Sequence, residues 1–281
     1  MESRNSRNVN SRYGSPRAPK EDKIEMIFGL RPIIEAMLAG KTLEKIFLQK
    51  SARNPMTDEI LDLAKKAEVP VATVPVEKLN KLTRKNHQGA VALLSAISYS
   101  PLSEIVPSLF EQGKTPLLLV LDRITDVRNF GSIARNAECL GVDAIIIPSR
   151  GGAQINADAM KTSAGALNLV PVCREPNLKD TIDYLKDSGI QIVACTEKTE
   201  HQLTDDSNLD FVGPTAIIMG SEEDGISPEY LKRADARVRI PLVGQIGSLN
   251  VSVATGIILY EVLRQRLREG GYSSQNTYEP R

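Results

Sequence analysis

The sequence predicts an α/β protein of two units, a small α/β unit followed by a larger one built on a parallel sheet with helices on both faces. Two observations carry this. Beyond residue 116, short runs rich in Val, Ile, Leu and Ala without polar alternation fall at 117–121, 144–147, 170–173, 190–195, 216–219 and 238–242. Strands buried on both faces read this way, because neither side chain direction meets water. Helix-patterned segments at 132–140, 157–167, 178–187 and 228–233 lie between most of them and supply the covering layers. The second observation is a separate alternation in residues 24–98: helix 32–39 closed by Gly40, strand 43–49, helix 57–67, strand 69–74, helix 76–82 and strand 90–96.

Composition agrees with a globular chain. Of 281 residues, 41% are hydrophobic and 25% charged, enough for two ordinary cores. No apolar run is long enough to cross a membrane, and residues 1–20 are polar and basic, unlike a secretory signal. Residues 1–23 are expected to form a disordered basic tail, 99–115 a linker with a short helix at 102–110, 116–269 the second domain and 270–281 a second tail. Cys139, Cys173 and Cys195 are too far apart for a metal site and read as buried thiols of a cytoplasmic protein. The net charge of zero hides an asymmetry: residues 1–98 carry seventeen Lys/Arg against eleven Asp/Glu, and 99–281 eighteen against twenty-four. A basic front suits a polyanionic partner.

Within the first unit, residues 78–89 carry four positive charges and no negative one, with Asn80, Thr83, Asn86, His87 and Gln88 interleaved. Phosphates and 2′-hydroxyls are contacted by this mixture, although a solvated helix face would look similar. In the second unit three polar clusters follow three strands: 122–135 after 117–121, 220–226 after 216–219, and 243–250 after 238–242. Thr196 and Glu197 follow a fourth. In parallel α/β sheets ligands bind beyond the carboxyl ends of the strands, so these clusters share one edge. Gly244 and Gly247 loosen the last loop, and Asn250 stands where an N-cap of the following helix is expected. An Asn-capped strand-to-helix turn would account for that loop alone; the company of the other two makes it a candidate site. No Gly-x-Gly-x-x-Gly or Walker pattern is present, which disfavours an oxidoreductase or ATPase.

Asn129 with Arg135 six residues on, Gly220-Ser221-Glu222, and Ile240-Pro241 followed by Gly247 and Ser248-Leu249-Asn250-Val251-Ser252-Val253-Ala254 resemble the SpoU/TrmH-type RNA ribose 2′-O-methyltransferases of the SPOUT superfamily. Phe28-Gly29-Leu30-Arg31-Pro32 and His87-Gln88-Gly89 resemble the family's ribosomal-protein-like substrate-binding domain. Among relatives the nearest look is that of enzymes methylating a guanosine of 23S ribosomal RNA.

The resemblance implies a C-terminal trefoil knot, S-adenosyl-L-methionine as methyl donor, ribosomal RNA as substrate and a homodimer with a composite site. It implies that Asn129, Arg135, Glu222, Ser248 and Asn250 surround the reacting hydroxyl. Gly220, Ile240, Leu242, Leu249 and Thr196 would bind the donor, and Arg31, Arg84, Lys85, His87 and Gln88 the RNA. Arg135 is the family's usual base candidate. A guanidinium, always protonated in proteins, suits stabilising a developing alkoxide better, with Glu222 holding Arg135 and Asn129. Val127 departs from a common proline and Glu223 from a common glycine, the latter putting the backbone of that turn in doubt. Two alternatives stay open: a transfer RNA 2′-O-methyltransferase, and a catalytically silent RNA-binding assembly factor.

Overall fold

The computed structural model describes residues 25–50, 54–203 and 209–270. The tail expected at 1–23, and all but Gly270 of the one at 270–281, lie outside them. The first unit comprises β1 (Met26–Phe28), α1 (Leu30–Leu38), β2 (Leu43–Gln49), α2 (Pro55–Lys66), β3 (Val71–Val74), α3 (Val76–Leu82) and β4 (Ala90–Leu94). Its sheet has the order β1-β4-β2-β3, antiparallel except for the β2–β3 pair. Strand β1 is too short for its alternation to register in the sequence; its pairing with β4 makes it a strand. Ile33, Ile46 and Ile60 are wholly buried on one face of this sheet, and Leu79 on the other.

After α4 (Leu102–Glu111) come β5 (Leu117–Leu121), α5 (Val127–Cys139), β6 (Ala144–Pro148), α6 (Ala157–Thr162), β7 (Val172–Glu175), α7 (Leu178–Asp187), β8 (Gln191–Cys195), β9 (Thr215–Met219), α8 (Pro228–Leu231), β10 (Ala236–Val238) and α9 (Val251–Arg268). The sheet is wholly parallel, in the order β10-β8-β9-β5-β6-β7. Helices α5, α6 and α9 cover one face and α4, α7 and α8 the other. Leu102, Val106 and Leu109 of α4 bury into this second core, so the helix inside the expected linker packs as part of the larger unit.

Three elements differ from expectation for identifiable reasons. Helix α5 begins at Val127, five residues early, because Asp126 caps it by accepting from the Asn129 backbone N–H at 2.7 Å. Gly131 looks like a loop residue but is a packing glycine: a Cβ there would lie 2.7 Å from Thr162 Cβ and 2.8 Å from the Ala159 carbonyl of α6. The helix expected at 157–167 stops at Thr162, since Ala164 (φ 51°) and Gly165 (φ 93°) turn left-handed before a 3₁₀ turn at Ala166–Asn168. The strand expected at 238–242 is Ala236–Val238, because its neighbour β8 ends opposite Val238 at Cys195 and Pro241 has no N–H to give.

At its far end α9 is anchored by Arg266, only 4% exposed. Its guanidinium donates to the carbonyls of Phe211 (3.0 Å), Thr115 (3.0 Å), Pro116 (3.1 Å) and Gly213 (2.9 Å), gathering the loops that lead into β5 and β9.

Candidate active site

Strand register decides where the polar loops meet. Leu121 pairs with Met219, Met219 with Cys195 and Cys195 with Val238, so β5, β9, β8 and β10 end along one line. The segments after them, beginning at Asp122, Gly220, Thr196 and Arg239, therefore leave the sheet side by side. Arg123 (φ 58°) ties two of them together: it donates to Asp122 (3.1 Å), to Asp224 (2.8 Å) and to the Gly225 carbonyl (3.2 Å). The buried Asp122 carboxylate also accepts from the Ser227 N–H at 2.6 Å. Asp122 and Arg123 open the 122–135 polar cluster without an individual role expected of them; their signal is a charged pair immediately after a buried strand. Thr196 is buried, its N–H bonded to the Val238 carbonyl at 2.8 Å, and its hydroxyl accepts from the Lys198 N–H.

Three of the predicted residues join in one hydrogen-bonded cluster. Glu222 Oε1 accepts from Asn129 Nδ2 (3.1 Å), Asn250 Nδ2 (2.8 Å) and the Val251 N–H (3.2 Å). Asn250 Nδ2 also donates to Asn129 Oδ1 at 3.0 Å. Asn250 is the N-cap of α9, as its position in the sequence suggests; its Oδ1 accepts from the Ser252 N–H (3.0 Å) and hydroxyl (2.6 Å). A carboxylate at this helix start sits where the first free N–H groups and the helix dipole favour negative charge. Both Asn250 donors and both its acceptor sites are used internally. Oε2 of Glu222 has no hydrogen-bond partner among the described residues and remains open.

Arg135 stands apart. It is exposed, with no hydrogen bond or ion pair among the described residues, so Glu222 does not hold it within this chain as expected. Six helical residues place it about 9 Å further along α5 than Asn129 and on another side of the helix. It lines a cavity of about 580 Å³ with Ser132, Asn136, Thr162, Ser252, Gly256 and Tyr260, and Ser252 connects that cavity to the Asn250 cap. Asn136 closes one wall by donating to the Ser252 carbonyl at 2.8 Å.

The loop before α9 is open. Among the described residues no hydrogen bond holds 240–249, Ser248 is exposed, and Leu242, Val243 and Ile246 project into solvent, while Ile240 and Leu249 are half-buried. Unused backbone donors and acceptors beside apolar side chains suit a nucleoside. Gly220 is required by its own turn: a Cβ there would fall 2.2 Å from the Gly225 carbonyl carbon and the Ile226 nitrogen. The left-handed residue of that turn is Gly225 (φ 68°), and Glu223 takes an ordinary conformation, which removes the doubt attached to it. Val127 is the first residue of α5, where proline is favoured but not needed.

In the first unit, Gly29 donates to the Ala90 carbonyl, and a Cβ at Gly29 would lie 3.5 Å from Gln88 Oε1, so the start of α1 abuts the 83–89 loop. Arg31, Arg84, Lys85 and Gln88 are exposed there, with Lys85 Nζ 4.8 Å from the Phe28 ring centre. His87 is different: its ring is buried, Nδ1 accepts from the Gly89 N–H and Nε2 donates to Asn80 Oδ1, both at 3.0 Å. It holds the loop from within and offers RNA no free nitrogen.

Residues 116–260 match the SpoU rRNA Methylase family, and residues 26–100 match RNA 2′-O ribose methyltransferase substrate binding. The chain belongs to the SpoU rRNA methylase family. Like the other SpoU-type enzymes it is an RNA 2′-O-methyltransferase, and the family's methyl donor is S-adenosylmethionine. A relative from Staphylococcus aureus, assigned by name to the TrmH family of tRNA/rRNA methyltransferases, is 38% identical over 86% of this chain and 96% of its own. The crystal structure of the SpoU methyltransferase AviRb from Streptomyces viridochromogenes, in complex with the cofactor AdoMet, superposes with a TM-score of 0.55 at 25% identity, covering 86% of this chain and 90% of that one. An AdoMet-bound rRNA methyltransferase from Sinorhizobium meliloti gives 0.53 at 27% identity, covering 85% and 86%.

Among the described residues no cluster of His, Cys, Asp and Glu could hold a metal, and no helix is long and apolar enough to cross a membrane. Burial and Glu197 push the Cys195 thiol up to about 12, and burial and Glu175 do the same for Cys173. Cys139, at the outer end of α5, is exposed and departs from the expectation of a buried thiol.

Proposed function

We propose that this SpoU-family chain methylates the ribose 2′-hydroxyl of a guanosine in 23S ribosomal RNA, in the cytoplasm, as a homodimer. The observation that carries the reading is the convergence of Asn129, Glu222 and Asn250 from three loops at one sheet edge. S-adenosylmethionine supplies an electrophilic methyl on a sulfonium, so the chain has only to align the ribose oxygen and stabilise the charge that develops on it. The open backbone of 240–249, with Ile240, Leu242 and Leu249, and the neighbouring Gly220 and Thr196 hold the donor. Glu222 and the two asparagines fix the start of α9, where the open loop that carries Ser248 ends. Arg135 supplies the cation that stabilises the developing alkoxide or grips the adjacent phosphate.

A second copy is part of the proposal because Arg135 lacks an intrachain partner. Val253, Ile257 and Tyr260 form an exposed i, i+4, i+7 stripe on α9 beside the Arg135 cavity. Ile257→Asp on this stripe is expected to give monomers by analytical ultracentrifugation and to abolish methyl transfer; a dimer surviving that change would remove the stripe from the interface.

Ribosomal RNA is preferred because the exposed cluster of Arg31, Arg84, Lys85 and Gln88 lies on the substrate-binding unit. The transfer RNA reading rests on the A. aeolicus TrmH/SpoU tRNA modifying enzyme, 32% identical over 60% of this chain, with a TM-score of 0.50. The deciding experiment incubates the protein with methyl-labelled S-adenosylmethionine and unmodified ribosomal or transfer RNA and maps the labelled ribose. Label on a guanosine of 23S RNA supports the proposal. Label confined to transfer RNA replaces the substrate, and binding without label makes the chain a silent RNA-binding factor.

A further inference from the structure

The two units touch at a narrow buried contact between two clefts. Arg174, on β7 at the edge of the larger sheet, is only 8% exposed, yet its guanidinium reaches into the first unit. Nη1 donates to the carbonyls of Leu43 (3.3 Å) and Glu44 (3.5 Å) at the start of β2 and lies 3.9 Å from the Glu44 carboxylate. The same guanidinium stacks on the Tyr99 ring, 4.1 Å from its centre, and the Tyr99 hydroxyl donates to Glu44 Oε2 at 2.5 Å. Tyr99 lies in the connection between units, which is itself tied down by the Ser100 N–H bonded to the Val172 carbonyl at 2.9 Å.

On one side of this contact lies a cavity of about 570 Å³, walled by Glu68 from the first unit and Glu175 and Asp180 from the second. On the other is one of about 750 Å³, walled by Lys41 and Leu94 from the first unit and Leu169 from the second. A domain boundary of this kind permits relative motion unless something fixes it. The hydrophobic cores of the two units are separate, and across the boundary only Ile97 and Tyr99 pack against the larger core among the described residues, too little apolar contact to fix an angle. What remains is polar: the Ala96 N–H reaching the Ile155 carbonyl at 3.4 Å, and the buried contact at Arg174. Buried ionic groups are poor sources of stability, since desolvation offsets attraction, but their directional demands select one arrangement over its neighbours. Nε of Arg174 is buried without a partner among the described residues, so the contact is tolerated at a cost.

We propose that Arg174 is a positioning residue: with Tyr99 and Glu44 it forms the pivot that sets the angle between the substrate-binding unit and the methyltransferase unit. Resting on the proposed RNA reading, this pivot fixes how far along the RNA the methylated ribose lies from the segment held by the first unit. An Arg at this position is required because a planar fork can stack on the ring and donate along its edge together, which an ammonium cannot. Arg174→Lys keeps the charge and loses the geometry. Arg174→Met with Glu44→Leu removes both charges, leaving no buried ion unpaired, so a loss in this pair cannot come from an orphaned charge.

The test places spin labels at Asp62→Cys on α2 and Asp187→Cys at the end of α7, on a Cys139→Ser background of the full chain, diluted into excess unlabelled chain so that a dimer carries one labelled copy. In the parent the distance between labels is expected to be narrowly distributed, and broad in both Arg174 variants. With saturating RNA, methyl transfer is expected to fall by about tenfold or more, because misplacement of about an ångström costs up to a hundredfold. RNA affinity and donor affinity are expected to stay within about threefold, since neither binding surface is touched. An unchanged distance distribution overturns the pivot, as does a broad distribution with unchanged turnover. If the parent transfers no methyl to any RNA, the functional reading fails, and the distance measurement alone decides whether Arg174 sets the angle.

Discussion

Asn129 and Arg135 lie six residues apart on one helix, yet the chain treats them in opposite ways. Asn129 sits in the first turn of α5, locked by Asp126, Glu222 and Asn250. Arg135 faces a cavity with no partner among the described residues. The first region is completed by this chain alone, and its donors and acceptors are mostly spent on one another. The second keeps its donors unspent. A group whose hydrogen bonds are satisfied internally holds geometry, whereas one left open on a cavity wall is available to a ligand or a second copy. On the proposed reading the locked cluster is scaffold for the reaction, and Arg135 is its cation.

The largest effect that would break this contrast is at Arg135. Arg135→Ala is expected to lower turnover by about 10²–10³-fold, the usual consequence of removing one oxyanion donor. Its melting temperature should match the parent, because nothing in the fold leans on the side chain. Near-normal turnover in Arg135→Lys would show that the planar fork is irrelevant. Next is Gly220→Ala, which drives a methyl into the Gly225–Ile226 backbone and should destabilise by about 1–3 kcal/mol, visible as a lower denaturation midpoint at unchanged slope. Glu222→Ala removes one acceptor serving three donors. On this exposed surface the expected stability loss is about 1 kcal/mol, with a larger fall in turnover than in fold, since Glu222 joins Asn129 to the start of α9.

The smallest effect lies far from either region and serves as a control. Burial, and then Glu68, raise the Glu175 pKa above its ordinary 4.5, whereas Thr181 opposes. A raised folded value means that the group's contribution is full below about 4.5, where it is protonated in both states, and is lost as pH rises through the folded value. Glu175→Gln should therefore raise the melting temperature at pH 7 by about 1–2 °C and leave it unchanged near pH 4. A gain at both pH values would mean that packing, not charge, limits this wall.

Much of this was legible in the sequence, for definite reasons. Buried parallel strands leave uninterrupted apolar runs, so β5, β6, β8 and β9 could be placed closely, and the N-cap role of Asn250 followed from its position before a helical pattern. Short or partner-defined pieces were not legible. Strand β1 exists through its pairing with β4, and β10 stops at Val238 because β8 does. The helical start of α5 was hidden by Gly131, whose reason is a neighbour thirty residues away. At the site, sequence could bring Glu222 and Asn250 to one edge through the rule for parallel sheets. It could not tell that Glu222 would bind both asparagines and leave Arg135 alone, because that depends on which side of a helix each residue faces. His87 shows the same limit: its composition-level setting suits RNA, and its buried ring serves the loop.

Arg266 has a reach that its place at the end of α9 conceals. Sixteen residues separate it from Asn250, so the rod between them is about 24 Å long, and a tilt of only about 3° at the anchored end would swing the tip by more than an ångström. Four carbonyls clamp that end through one guanidinium. If the proposed site is the reacting one, the far end of the sheet is the fulcrum that levels it.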